Sequence, residues 1–182
     1  MGLQTLNQKI MKCKKCDLWK NRTKAVPGEG PKNAKIMFVG QAPGRNEDLQ
    51  GKPFVGMAGK FLNKLLESIG LRRMDVFLTG SVKCFPPKNR KPTKGEMEAC
   101  KPFLLEQIKI VKPKLIVLLG DIALKILLGG GKISNIHGKP IKKSGMIYFP
   151  TFHPAAAMRF PKIRRKMKQD FEKLKLLIRE VG

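Results

Sequence analysis

Residues 113–121 read PKLIVLLGD, and this stretch decides the fold. Pro113 ends whatever helix precedes it, Leu115 to Leu119 are uninterrupted apolar residues, and Gly120 closes the run. A short apolar run without polar alternation, bounded by Pro and Gly, reads as a strand covered on both faces. Three more runs have this character: 36-IMFV-39 ending at Gly40, 76-VFLTG-80, and residues 146–149. Helical patterns lie between and around them. Residues 3–12 form a short one. Phe61, Leu62, Leu65, Leu66 and Ile69 recur at helical spacing up to Gly70. Residues 94–111 and 121–128 follow, the latter stopped by Gly129-Gly130-Gly131, and a last helix spans about 162 to 180. Residues 40–56, rich in Gly and Pro, read as one long loop. Strands alternating with helices predict an α/β fold: three αβα layers around a central four-stranded, mostly parallel sheet. The site then lies beyond the carboxyl ends of the strands. Three of those ends lead into Gly40–Gly44, Gly80-Ser81 and Thr151–Pro154, which should converge on one edge.

The chain has 182 residues, enough for one domain with a real core. No apolar run is long enough to span a bilayer, and the start, MGLQTLNQKIMKCKKC, has no signal-peptide character. A cytoplasmic monomer is expected. Lys and Arg number 38 against 13 Asp and Glu, a formal net charge of +25. Such an excess fits a polyanionic partner, because each neutralised phosphate releases counterions. The basic residues are spread along the chain, so a folded domain with a basic face fits better than a basic tail. Ten Phe, one Trp and one Tyr are too few for a broad base-stacking platform. A nucleic acid is the expected partner on charge alone.

Four cysteines call for one account. Cys13 and Cys16 form a C-x2-C pair, while Cys84 follows a strand and Cys100 falls within a helix. The spacing permits either a four-cysteine zinc site or an iron–sulfur cluster. Two disulfides are disfavoured in a reducing cytosol.

The motifs 13-CKKC-16, 26-VPGEG-30, 38-FVGQAPGRNED-48, 53-PFVGMAGK-60, 82-VKCFPPKNRKP-92, Cys100 and 151-TFHPAAA-157 occur in order along nearly the whole chain. Together they resemble the iron–sulfur uracil-DNA glycosylases, the thermostable group often called family 4. The resemblance implies a [4Fe–4S] cluster on Cys13, Cys16, Cys84 and Cys100. It implies a substrate pocket built from Gly40, Gln41, Ala42, Phe54, Gly80, Ser81 and His153, with Phe54 against the flipped uracil. His153 would donate to uracil O2 as the glycosidic bond breaks, which is stabilisation of a leaving-group anion. The loop after His153 would wedge into the duplex, with Met158 as the inserted side chain and Arg159 and Lys162 on DNA. His137 matches no motif.

Two positions depart from the family pattern. Gln41 stands where the family has Glu, and Ala42 where classical uracil glycosylases carry a carboxylate. A carboxamide holds water without taking its proton, so a dissociative route is expected, with Gln41 as a catalytic water holder. Gly80 stands where the family has an Asn that reads the pyrimidine edge. Ser81, a backbone group or a water would have to substitute, and restoring the side chain by Gly80→Asn is expected to quicken uracil release. Asp48 reads as a loop anchor or a water organiser, and Glu47 equally as a solvated acid. Beside uracil excision in DNA repair stands the alternative of a weak or non-catalytic nucleic-acid-binding iron–sulfur module.

Overall fold

The computed structural model describes residues 1–182. Strands β1 (Ile36–Gly40), β2 (Phe77–Gly80), β3 (Leu115–Leu119), β4 (Ile141–Lys143) and β5 (Met146–Thr151) form one sheet in the order β2-β1-β3-β5-β4. β2, β1, β3 and β5 are parallel; β4 runs antiparallel to β5 at the edge. Every residue of β1 and β3 is buried, and successive side chains of a strand point to opposite faces, so both faces are covered. The covering helices are α1 (Leu3–Met11), α2 (Arg45–Gln50), α3 (Met57–Ser68), α4 (Lys94–Val111), α5 (Asp121–Leu128), α6 (Ile133–Ile136), α7 (Pro154–Arg159) and α8 (Pro161–Val181). α8 buries Met167, Phe171 and Leu174, and Phe171 stacks on Phe38 of β1 with ring centroids 6.2 Å apart.

The sheet has five strands where four were expected. The extra strand, β4, pairs with β5 through a two-residue turn in which Ser144 and Gly145 both have positive φ, 50° and 77°. That geometry suits the right-handed twist of a hairpin. β4 is three residues long and carries Lys142 and Lys143, features that keep an exposed edge from pairing with another chain. The opposite edge, β2, is closed by the 26–30 motif: Glu29 exchanges both backbone hydrogen bonds with Leu78, at 2.9 and 2.7 Å.

Two expected loops contain helix. α2 interrupts 40–56, and the segment after His153 is α7, entered through Pro154 at its first turn. The register places Gly40 beside Gly80 and Leu119 beside Thr151. The carboxyl ends of β1, β2 and β5 therefore meet on one edge, as a parallel sheet requires.

Candidate active site and cysteine cavity

A cavity of about 120 Å³ opens at that edge, bounded by Gly40, Gln41, Ala42, Phe54, Gly80 and His153. Gly40 is small for a reason: a Cβ there would lie 2.6 Å from Cζ of Phe54. Phe54 sits at φ 51°, a left-handed backbone that non-glycine residues adopt only when held. Arg73 holds it. Its Nη1 donates to the Phe54 carbonyl at 2.8 Å, its Nη2 to the Pro53 carbonyl, and Glu29 pairs with it at 2.9 Å. Arg73 belongs to no motif, and no local pattern marks it.

Glu47 is not a solvated acid. Its Oε1 accepts from the N–H groups of Val55 (2.9 Å) and Gly56 (2.8 Å), and its Oε2 from Gly44 (3.1 Å). One carboxylate thus ties the first loop to the Phe54 loop. Asp48 is an anchor: it is buried and accepts from Thr23 N–H at 2.9 Å.

His153 caps α7. Its Nδ1 accepts from Ala155 N–H at 3.1 Å, so in the neutral ring the proton lies on Nε2. Burial pushes its pKa down to about 4, against the pull of the Glu47 carboxylate. At neutral pH the ring is an uncharged donor. It lies 6.4 Å, centroid to centroid, from Phe54, with the planes 29° apart.

Gly80 borders the cavity, but Ser81 does not. Ser81 is fully buried and donates through Oγ to the Gly40 carbonyl at 2.7 Å. It is committed to joining β2 to the first loop, and its hydroxyl is not free to read a base. Beneath Gly80 lies Lys83, 1% exposed, whose Nζ donates to Thr79 Oγ1 (2.6 Å), Gln107 Oε1 (2.6 Å) and the Gly80 carbonyl (2.7 Å). Burial lowers its pKa to about 8, opposed by Cys100. Asn89 also borders the cavity, at the end of a 3-10 turn with φ 57°. The sequence 82-VKCFPPKNRKP-92 contains it but does not mark it, because no sequence period brings 89 beside 41 and 153.

Met158 is half-buried on α7 and borders neither the cavity nor the groove beside it. Arg159 borders that groove; Lys162 is exposed on the first turn of α8, outside it. Phe160, 50% exposed, borders it as well. His137, which matches no motif, has a structural place: its Nδ1 lies 2.9 Å from Asp170, which also accepts from Thr151 Oγ1 at 2.7 Å.

Cys13, Cys16, Cys84 and Cys100 line a second cavity, together with Trp19, Arg22 and Phe103. No two of them are joined in a disulfide. Donors point at sulfur from Arg22 Nη1 to Cys84 (3.1 Å), Lys83 N–H to Cys100 (3.3 Å) and Lys15 N–H to Cys13 (3.5 Å). Burial pushes the Cys100 thiol up to about 11, with Lys83 acting against it. The thiol of Cys84 is likewise raised by burial and opposed by Arg22. No three His, Cys, Asp or Glu side chains are grouped closely enough to hold a single metal ion.

A parallel sheet with a base-sized pocket at its carboxyl edge, walled by a held phenylalanine and a neutral histidine, is the architecture of a base-excising glycosylase. Residues 27–175 match the uracil DNA glycosylase superfamily, and the chain belongs to that superfamily. It is 46% identical to the type-4 uracil-DNA glycosylase of Sulfurisphaera tokodaii, over 97% of this chain and 84% of that protein. The type-4 uracil-DNA glycosylase of Saccharolobus solfataricus is also 46% identical, over 96% of this chain and 85% of its own length. That of Archaeoglobus fulgidus is 44% identical, over 95% and 92%. No helix is long and apolar enough to cross a membrane.

Proposed function

We propose that this protein is a monofunctional uracil-DNA glycosylase that hydrolyses the N-glycosidic bond of a flipped deoxyuridine, releasing uracil and leaving an abasic site for repair. The observation that carries the reading is His153: a neutral ring at the cavity wall, with Nδ1 occupied by Ala155 N–H and Nε2–H left as the donor. An uncharged donor suits a base leaving as an anion, since its hydrogen bond strengthens as charge develops on O2. Phe54 offers a face for the pyrimidine. The one acid bordering the cavity, Glu47, accepts three backbone N–H groups and is not placed as a general base. The bond therefore breaks first, and water held by the carboxamides of Gln41 and Asn89 adds to the oxocarbenium-like sugar, its proton passing to the departed uracil anion.

The four cysteines fit the [4Fe–4S] cluster that the likeness to the type-4 enzymes implies. They share one cavity, and three of the four sulfurs already accept hydrogen bonds. When bound, the cluster supplies a cross-link among the N-terminal segment, the end of β2 and α4; base release proceeds on other residues. Residues 1–182 then act as one cytoplasmic, monomeric domain with the cysteine cavity as a subsite.

Gly80 favours a second reading, a module that binds nucleic acid and cleaves weakly, since no side chain there reads the base. Single-turnover incubation with a uracil oligonucleotide, then alkali, separates the two. Uracil release, abolished on thymine and cytosine controls, is expected. Tight binding without strand scission would leave the binding module.

A further inference from the structure

The chain has two histidines, and their rings are held in opposite senses. The Nδ1 of His153 accepts from Ala155 N–H, whereas the Nδ1 of His137 lies 2.9 Å from both carboxylate oxygens of Asp170. A carboxylate only accepts, so the His137 Nδ1 carries the hydrogen. Asp170 is 1% exposed on α8, and Thr151 Oγ1 donates to its Oδ2 at 2.7 Å. Its buried companions on α8 are Met167, Phe171 and Leu174, so packing alone would place an apolar residue at 170. A buried carboxylate is unfavourable unless donors meet it, and here the backbone itself makes room. Gly138 sits at φ 70°, and a Cβ there would collide with Asp170 Oδ1.

What the carboxylate adds is a fixed place for the end of β5. The Pro150 carbonyl accepts from Gly138 N–H at 2.8 Å, and the Thr151 carbonyl from Gly120 N–H at 2.9 Å. The Phe152 ring lies against His137, with centroids 4.6 Å apart. α6, which leads into His137, is anchored by Asp121 Oδ1, which accepts from Ile133 N–H at 2.8 Å. Three successive residues before His153 are thus gripped by other elements. The bond from Ala155 N–H fixes the His153 ring only within its own turn. The contacts at 150–152 fix that turn against the sheet, whose strand ends carry Gly40 and Gly80.

We propose that Asp170, His137 and Thr151 form a positioning network that sets where the His153 Nε2–H meets the leaving base. The network rests on the glycosylase reading for what His153 does, and none of its three members borders the base cavity. Displacing a group that acts in the transition state by about 1 Å costs up to roughly 100-fold in rate. The test uses the purified full chain. Thr151→Val keeps the shape and removes the hydroxyl, and Thr151→Ser keeps the hydroxyl. Single-turnover excision at saturating uracil oligonucleotide should fall about 10- to 100-fold in Thr151→Val, with affinity for an oligonucleotide carrying non-cleavable 2′-fluoro-deoxyuridine unchanged. Thr151→Ser should recover most of the rate. Ring spectra of protein labelled with 15N-histidine give a readout independent of turnover. At neutral pH wild type should show one ring with hydrogen on Nδ1, absent from His137→Leu, and one neutral ring with hydrogen on Nε2. The His153 signals should shift or broaden in Thr151→Val and return in Thr151→Ser. His137→Leu removes the other donor and should act in the same sense, and His137→Asn, which keeps an N–H where Nδ1 stands, should recover part of the loss. A Thr151→Val protein that melts earlier but cleaves at the wild-type rate would make the network purely structural and overturn the proposal. So would a loss confined to DNA affinity, or slower cleavage with the His153 signals unmoved. Should Thr151→Val fail to fold, the two His137 variants decide by the same readouts. If wild type releases no uracil, the glycosylase reading fails, and the His153 signals alone decide whether the network sets the ring.

Discussion

His153 and Gly80 show what single positions can and cannot disclose. That His153 follows a strand and precedes Pro154 is legible in the sequence; that its Nδ1 caps a helix, which fixes the tautomer, needs the fold. A ring whose pKa is about 4 stays neutral through the physiological range. Single-turnover excision should therefore be flat from roughly pH 5 to 8, with no limb near the ordinary histidine value of about 6.5. An inflection between 6 and 7 that vanishes in His153→Gln would show that the imidazolium is the working form. Stability carries the matching sign. The unfolded histidine takes up its proton below about 6.5 and the folded one only near 4, so the protein loses stability as pH falls through that window, and His153→Ala removes that loss. Gly80 revises an expectation. Its φ is not left-handed, yet a Cβ there would stand 2.8 Å from the carbonyl oxygen of Val82. Val82 in turn donates its N–H to Gln41 at 3.0 Å, so relieving the contact disturbs the first loop. Gly80→Asn and Gly80→Ala should both lower stability by about 1–3 kcal/mol in denaturant melts, the usual overpacking range. Gly80→Asn should then excise uracil no faster than wild type. A faster Gly80→Asn enzyme would mean that the backbone yields and the edge-reading carboxamide is restored.

At the scale of elements, the buried strands were plain and the connecting pieces were not. β1, β2, β3 and β5 announce themselves as apolar runs because a covered parallel sheet excludes polar residues from both faces. β4 is hidden because an edge strand of sequence IKK needs charge, and its only signal is the Ser144-Gly145 turn. α2 and α7, six residues each, are too short for a helical period to register. Their existence depends on caps: Glu47 folding back on Gly44 N–H, and His153 receiving Ala155 N–H. Glu47 also shows how a loop pair becomes a pocket wall. Replacing it by Gln keeps an oxygen for Val55 and Gly56 but turns an amide donor toward Gly44 N–H, so one buried donor loses its partner. Charge-assisted bonds of this kind contribute about 1.5–3 kcal/mol. Glu47→Gln should melt earlier by that order and excise more slowly, because the Phe54 loop is no longer tied to the first loop. Its rate should keep the pH profile of wild type. Loss of a basic limb, instead, would make Glu47 a general base.

Over the whole molecule, the +25 charge pointed to nucleic acid and the alternation of elements to a parallel sheet, and both are properties that summation over many residues makes robust. Convergence of 13, 16, 84 and 100 on one cavity is different in kind. It depends on α1 packing near α4 and on β2 ending where α4 passes, long-range facts that no local period encodes. The same packing couples the cysteines to the base pocket. Lys83 lies between them, its N–H on Cys100 and its ammonium on the Gly80 carbonyl, with Cys84 next in sequence. No cysteine borders the base cavity. Cys84→Ser should still slow uracil release, because losing the proposed cluster would free the 13–22 segment and let the end of β2 shift beneath Gly80. The purified variant should contain less iron, show weaker absorbance near about 400 nm, and melt at lower temperature. Its salt dependence of DNA binding should match wild type, since the number of phosphates neutralised sets the slope and the substitution removes no cation. A Cys84→Ser protein that is iron-free, equally stable and fully active would show four unrelated thiols. A wild-type protein carrying one zinc and no iron after anaerobic preparation would reassign the cavity to zinc.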